Sequence, residues 1–151
     1  MQLQFLLGRI KKVKHYKIGY TAGVFDLFHV GHLNLLERAK EQCDYLIVAV
    51  TTDELVSYKN KKAVIPYEER ARIVAALKVV DQVVPQVNMN KMEAWERYHF
   101  DAMFVGDDWK GTEKWQRYEE EFRSVGVDIV YFPYTRGISS TIIESKLSNQ
   151  S

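Results

Sequence analysis

The most constraining stretch of this chain is Leu46-Ile47-Val48-Ala49-Val50, an unbroken apolar run behind Asp44 and Tyr45. It is too short for an ordinary helix and rich in β-branched residues, the pattern of a strand buried on both faces. Such strands belong to parallel sheets covered by helices, and the flanking segments supply both kinds of element.

Residues 16–22 form a short segment rich in strand-formers. Leu33, Leu36, Ala39 and Cys43 then recur at helical spacing, which predicts a helix starting near Gly31 with Cys43 on its apolar face. After the central run, Thr51-Thr52-Asp53-Glu54 resembles a capping start, with a short helix through Leu55 and Val56. Lys59-Asn60-Lys61-Lys62 has no apolar periodicity and reads as a loop. Pro66-Tyr67-Glu68-Glu69 suits the first turn of a helix that continues through Arg70, Ile73, Val74 and Leu77. Residues 81–85 form a strand ended by Pro85, 86–91 a polar loop, 92–98 a helix and 101–105 a strand. Gly106-Asp107-Asp108-Trp109 is the following turn; a helix over 112–124 is closed by Gly126, and 128–133 is the fifth strand. A last helix runs over 142–147.

Strands and helices alternate without repeats, low-complexity tracts or a linker. The pattern predicts a single α/β domain over 16–151, with a Rossmann-like doubly wound sheet of about five mostly parallel strands flanked by helices. Residues 1–15 precede it as an arm whose Arg9, Lys11, Lys12, Lys14 and His15 suit a solvated segment or one packed on a partner subunit, the alternative being contact with an anionic ligand or a membrane surface.

Composition narrows the functional classes. The chain has 151 residues, is 46% apolar and 27% charged, and carries a formal net charge of +1, without the basic excess of a nucleic-acid binder. Its single cysteine excludes an internal disulfide and suits a reducing compartment. No run approaches the roughly 18 apolar residues of a membrane span. Leu3-Gln4-Phe5-Leu6-Leu7 is too short for a signal-peptide core and has no basic segment ahead of it, so a cytoplasmic location is expected.

Ligands of doubly wound sheets bind beyond the carboxyl ends of the strands, at the switch in strand order. Three segments follow strands here, 23–32, 106–109 and 134–141, and are expected to converge on one rim. In the first, Gly23 and Gly31 allow close backbone approach, and a helix N-terminus favours bound phosphate. The imidazoles of His29 and His32 can donate to charge developing on phosphate oxygens.

These segments also carry a family resemblance. His29-Val30-Gly31-His32 forms an HxGH motif inside a longer Gly-x-Phe-Asp-x-x-His match at Gly23 to His29. Lys59-Asn60-Lys61-Lys62-Ala63, Tyr67-Glu68-Glu69-Arg70, Gly106-Asp107-Asp108-Trp109 and Gly137-Ile138-Ser139-Ser140-Thr141 follow in order. HxGH alone is a weak signal, but five motifs in order at compatible spacing are a strong one. From about Ile18 to Leu147 the chain resembles the cytidylyltransferase-like nucleotidyltransferase superfamily, and within it the glycerol-3-phosphate cytidylyltransferases.

The resemblance implies transfer of CMP from CTP to glycerol phosphate or a similar phospho-alcohol, giving CDP-glycerol and pyrophosphate for a cell-surface polymer or capsule. The acceptor phosphate would attack the α-phosphorus directly, so the protein's work is positioning and charge stabilisation. His29 and His32 are implied to hold the triphosphate, with Lys59 and Arg70 as further catalytic residues. For Arg70 the ordinary alternative is an ion pair with Glu68 or Glu69. Nucleotide contacts are expected from Ala22, Gly23, Val24, Phe25, Gly31, Asp107, Arg136, Ile138, Ser139, Ser140 and Thr141. Lys61, Lys78, Asp108 and Trp109 are expected on the acceptor side. Mg²⁺ is inferred from triphosphate chemistry, an aspartate of the 106–109 turn being its candidate contact. No spacing suits zinc. A homodimer is expected from the resemblance.

Three departures bear on the substrate. Tyr134-Thr135-Arg136 stands where the family has Arg-Thr-Glu; Lys78 replaces a family arginine and loses its fork; Met89 replaces an aromatic residue. The alternatives are adenylyl transfer, as in FAD synthetase-like or heptose-phosphate relatives, and a nucleotide-binding module without activity.

Overall fold

A computed structural model describes residues 15–58, 60–133 and 140–149, with backbone alone at 140–142, 144 and 149. Along the chain come β1 (Tyr16–Gly23), α1 (Val30–Glu41), β2 (Cys43–Thr51), α2 (Asp53–Tyr58) and α3 (Tyr67–Ala75). These are followed by β3 (Gln82–Gln86), α4 (Lys91–Tyr98), β4 (Ala102–Gly106) and a 3-10 turn (Asp107–Trp109). The described chain closes with α5 (Glu113–Ser124), β5 (Asp128–Phe132) and α6 (Ser140–Asn149).

The strands form one five-stranded sheet in the order β3-β2-β1-β4-β5. Each pairing in it is parallel. As the apolar run required, β2 is covered on both faces, and Leu46 to Thr51 are all buried. Alternation along β2 divides the core in two. Leu46, Val48 and Val50 face one layer with Leu36 and Ala39 of α1 and Val74 of α3. Ile47 and Ala49 face the other with Phe100, Trp115 and Phe122. Leu36 and Phe122 have no exposed surface, and full burial of such side chains contributes roughly 1.5–3 kcal/mol each.

The strand order reverses between β1 and β4, and the junction is tight at its base. A Cβ on Gly19 would lie 2.5 Å from the Phe104 ring and 2.8 Å from Cys43 Sγ, so only glycine fits. β1 meets β4 at Gly19–Ala102 and Tyr20–Met103, and Thr21 Oγ1 then donates to Phe104 O at 2.7 Å. A side-chain bond thus continues the junction where the backbone register stops. Beyond it the chain turns away at both strand ends, into Val24–His29 on one side and Asp107–Trp109 on the other.

Four local expectations are corrected. Cys43 is buried but opens β2; α1 ends at Glu41, so the helical spacing that reached Cys43 runs past the Gln42 cap. Pro85 lies inside β3, which among the described residues pairs with β2 alone and, as an edge strand, tolerates a residue without an N–H. α3 stops at Ala75, short of Leu77, and α6 starts at Ser140, before residue 142.

Candidate active site

The site is built on the turn between β1 and α1. His29 is the N-cap of α1, with extended backbone, and its ring Nδ1 accepts from Gly31 N at 3.0 Å. In return His29 N donates to His32 Nδ1 at 3.2 Å. The two histidines thus cap their own helix reciprocally, taking up N–H groups that the sequence left free for an anion. The rings stack with centroids 3.9 Å apart and 25° between planes. Phe25 and Phe28 back the His32 ring at 5.5 and 5.2 Å.

This arrangement sets protonation. Both Nδ1 atoms accept, so each neutral ring carries its proton on Nε2 and offers one donor beyond the cap. Burial lowers the His29 pKa. Desolvation first, and then the charge of His29, push His32 down to about 4, against an opposing pull from Asp26. The pair is therefore neutral at pH 7, with donors rather than fixed positive charges.

Behind the turn lies a fully buried arginine. Arg70, on α3, has no exposed surface, and Nε donates to Ile65 O at 2.7 Å. Nη1 donates to Val24 O at 2.7 Å and Thr51 O at 2.8 Å, and Nη2 to Asp53 Oδ1 at 2.6 Å. The ion pair is with Asp53, not with Glu68 or Glu69 as the alternative reading had it, because those acids are exposed in the first turn of α3. The Tyr67 N–H first, and then the Arg70 guanidinium, hold the Asp53 carboxyl low against desolvation. Arg70 was expected at phosphate; its guanidinium instead braces the backbone beneath the turn.

Other expected residues are distributed unevenly. Gly23 ends β1 at the rim, where a Cβ would come within 3.1 Å of the Phe25 ring. Val24 presents its carbonyl to Arg70, and the Phe25 ring is buried, so its side chain supports the site from below. Asp107, Asp108 and Trp109 are exposed at the end of β4, beside the turn that follows β1, and Trp109 is 55% exposed. Ala22 lines a cleft of about 430 Å³, counting its open mouth, together with Tyr20, Gln86, Met89, Arg97 and Tyr98. The cleft opens at the carboxyl ends of β1 and β3. Met89, the third departure, therefore faces the same cavity as Ala22.

Lys61 is exposed in the loop that leads to Ile65. Lys78 is not brought to this rim. It lies in the turn after α3, near Asp81, whose N–H bonds Leu46 O at the opposite end of the sheet. Because α3 descends from rim to base, a residue past its end cannot line the crevice of this chain. Lys59, Arg136, Ile138 and Ser139 lie outside the described residues, as do Tyr134, Thr135 and the basic arm over 1–14. Ser140 and Thr141 open α6, with their side chains undescribed.

The residues the sequence reading passed over are Asp26 and Asp53. Asp53 was legible only as the acid of a capping start. Asp26, inside the Gly-x-Phe-Asp match, is 7% exposed, and its carboxylate accepts from Val64 N and Ile65 N at 2.8 and 2.9 Å.

Comparison with known proteins adds an independent line. The model of a family described as cytidylyltransferase-like matches residues 20–146. A glycerol-3-phosphate cytidylyltransferase of Bacillus subtilis (strain 168) is 40% identical over 129 residues, covering 85% of this chain and 95% of that protein. An FAD synthase of Ferroglobus placidus is 35% identical over 110 residues, covering 73% and 72%. The crystal structure of a lipopolysaccharide core biosynthesis protein from Thermoplasma volcanium GSS1 superposes with a TM-score of 0.67 at 23% identity. It covers 80% of this chain and 97% of that one, a likeness of fold.

Proposed function

The chain belongs to the cytidylyltransferase-like family, and from that premise we propose that it transfers CMP from CTP to glycerol phosphate or a similar phospho-alcohol, forming CDP-glycerol and pyrophosphate. The observation that carries this reading is the 40% identity to a glycerol-3-phosphate cytidylyltransferase over 95% of that protein's length. The histidine turn is compatible with it. Two neutral rings with Nε2–H donors, held at a fixed 3.9 Å stack, suit stabilisation of negative charge on a leaving pyrophosphate. Preorganisation matters more here than activation, because an acceptor phosphate is already a nucleophile.

In this reading the triphosphate lies over the turn, Asp107 and Asp108 flank it, and the cleft beside Ala22 and Met89 is open to the acceptor. Mg²⁺ would accompany the nucleotide and neutralise phosphate charge. Among the described residues no group of three His, Cys, Asp or Glu forms a metal cage. That donor set fits a cation held mostly by phosphate oxygens, with the exposed carboxylates of Asp107 and Asp108 as protein contacts. Lys59, Lys61 and Arg136 would add positive charge. We place the protein in the cytoplasm as a homodimer supplying CDP-alcohol to a surface polymer or capsule. Among the described residues no helix is long and apolar enough to cross a membrane.

The FAD synthase relative favours a second reading, adenylyl transfer. A matrix of CTP and ATP against glycerol phosphate, phosphocholine and sugar phosphates, read by pyrophosphate release, separates them. The expected result is turnover with CTP and glycerol phosphate. Turnover with ATP alone would establish the second reading, and CTP binding without turnover on any acceptor would establish a binding module.

A further inference from the structure

The loop carrying Lys61 and Lys62 has little to hold it by burial. Lys61 and Lys62 are exposed, and Val64, the next large apolar residue, is 60% exposed. At its start the loop is tied to α2, where Asn60 N donates to Ser57 O at 3.0 Å and Lys61 N to Val56 O at 3.3 Å. At its far end the tie is Asp26. Val64 N donates to Oδ2 at 2.8 Å and Ile65 N to Oδ1 at 2.9 Å, so one carboxylate grips two consecutive amides.

The turn that supplies Asp26 is strained. Phe25 and Leu27, on either side of it, have φ of 54° and 49°, left-handed backbone that bulky side chains rarely adopt. This double reversal carries Asp26 inward, three residues before the His29 cap. Arg70 closes the same junction from below, donating to Val24 O on one side and Ile65 O on the other. The histidine turn and the lysine-bearing loop are thus cross-linked through two buried charged groups, although 38 residues separate Asp26 from Val64.

We propose that Asp26 is a positioning residue: its carboxylate latches the lysine-bearing loop onto the histidine turn, and catalysis depends on that latch. The proposal rests on the nucleotidyl-transfer reading above. An amide cannot replace the carboxylate, since asparagine has one acceptor oxygen and would turn its NH₂ toward one of the two N–H donors. The loop end then loses a bond, and its lysines lose their fixed distance from the triphosphate.

The test is Asp26→Asn, read by amide hydrogen exchange and by kinetics with CTP and glycerol phosphate. Exchange over 60–66 should accelerate while β2 stays protected, and kcat/KM should fall about tenfold to a hundredfold, as for misplacement of a catalytic group. Lys61→Ala should also cost less in Asp26→Asn than in the wild type, because a loosened lysine has less to lose. Unchanged exchange over 60–66 overturns the proposal, as does faster exchange with kcat/KM within about twofold of wild type. If Asp26→Asn fails to fold, Val64→Pro, which deletes one donor from an exposed position, is judged by the same two criteria. Wild-type protein without turnover on any nucleotide would fail the functional reading, while the exchange measurement still reads the latch.

Discussion

Nη1 of Arg70 donates to the carbonyl of Val24 at 2.7 Å, joining α3 to the histidine turn across 46 residues of sequence. The same nitrogen reaches Thr51 O at the end of β2, so the guanidinium holds together the backbone on which the site is built.

Arg70→Ala should therefore destabilise the protein by about 3 kcal/mol or more, because carbonyls at the buried junction lose their donor. For a domain of this size that corresponds to a fall in melting temperature of roughly 6–12 °C, measurable by calorimetry or circular dichroism. Arg70→Lys should lose less, since an ammonium can satisfy part of the set. Equal stability of wild type and Arg70→Ala would show that the guanidinium does not brace the fold.

Much of this architecture was legible in the chain. The run at 46–50 and the regular spacing of turn and cap signals mark where five strands and their helices lie. The junction at Arg70 was not legible, because its partners are backbone carbonyls of residues distant in sequence, which leave no residue-type signal. Glu68 and Glu69 were the natural partners by proximity, yet they point to solvent while Asp53 supplies the pair. Cys43 misled for a related reason: its spacing from Ala39 continues the helix pattern, and nothing local announces that α1 stops at Glu41. Lys78 shows the limit of motif placement, since a matched position says nothing of which end of the sheet it occupies.

The half-buried His32 ring makes folding sensitive to acid. Its folded pKa of about 4 lies below the ordinary 6.5, so the unfolded chain binds the extra proton first as pH falls. The stability contributed by the neutral ring is fully present above about pH 6.5 and is lost as pH falls toward 4. Urea midpoints across this window should decline for wild type and decline less for His32→Gln; identical slopes would refute the assignment.

Gly19 tests the junction of β1 and β4. An added methyl meets the Phe104 ring at 2.5 Å and Cys43 Sγ at 2.8 Å, both in a close-packed layer. Gly19→Ala should cost about 1–3 kcal/mol by overpacking, measured by chemical denaturation. A pairing of Gly19→Ala with Phe104→Leu should recover part of that loss, since the two changes act on one contact.

The cleft beside Ala22 gives a test of acceptor placement. Met89 is 37% exposed and lines it, so Met89→Ala should raise KM for the phospho-alcohol several-fold, about 1 kcal/mol of lost apolar contact, with KM for CTP unchanged. An effect on CTP alone would move the nucleotide into the cleft.

The central claim is that the stacked histidines of the β1–α1 turn stabilise charge during nucleotidyl transfer. It is tested most directly by kcat for His29→Ala and His32→Ala with saturating CTP and glycerol phosphate, alongside circular dichroism. The account predicts losses of about 10² to 10³ in kcat for each variant, with native secondary structure retained. Turnover within a few-fold of wild type in both would contradict it.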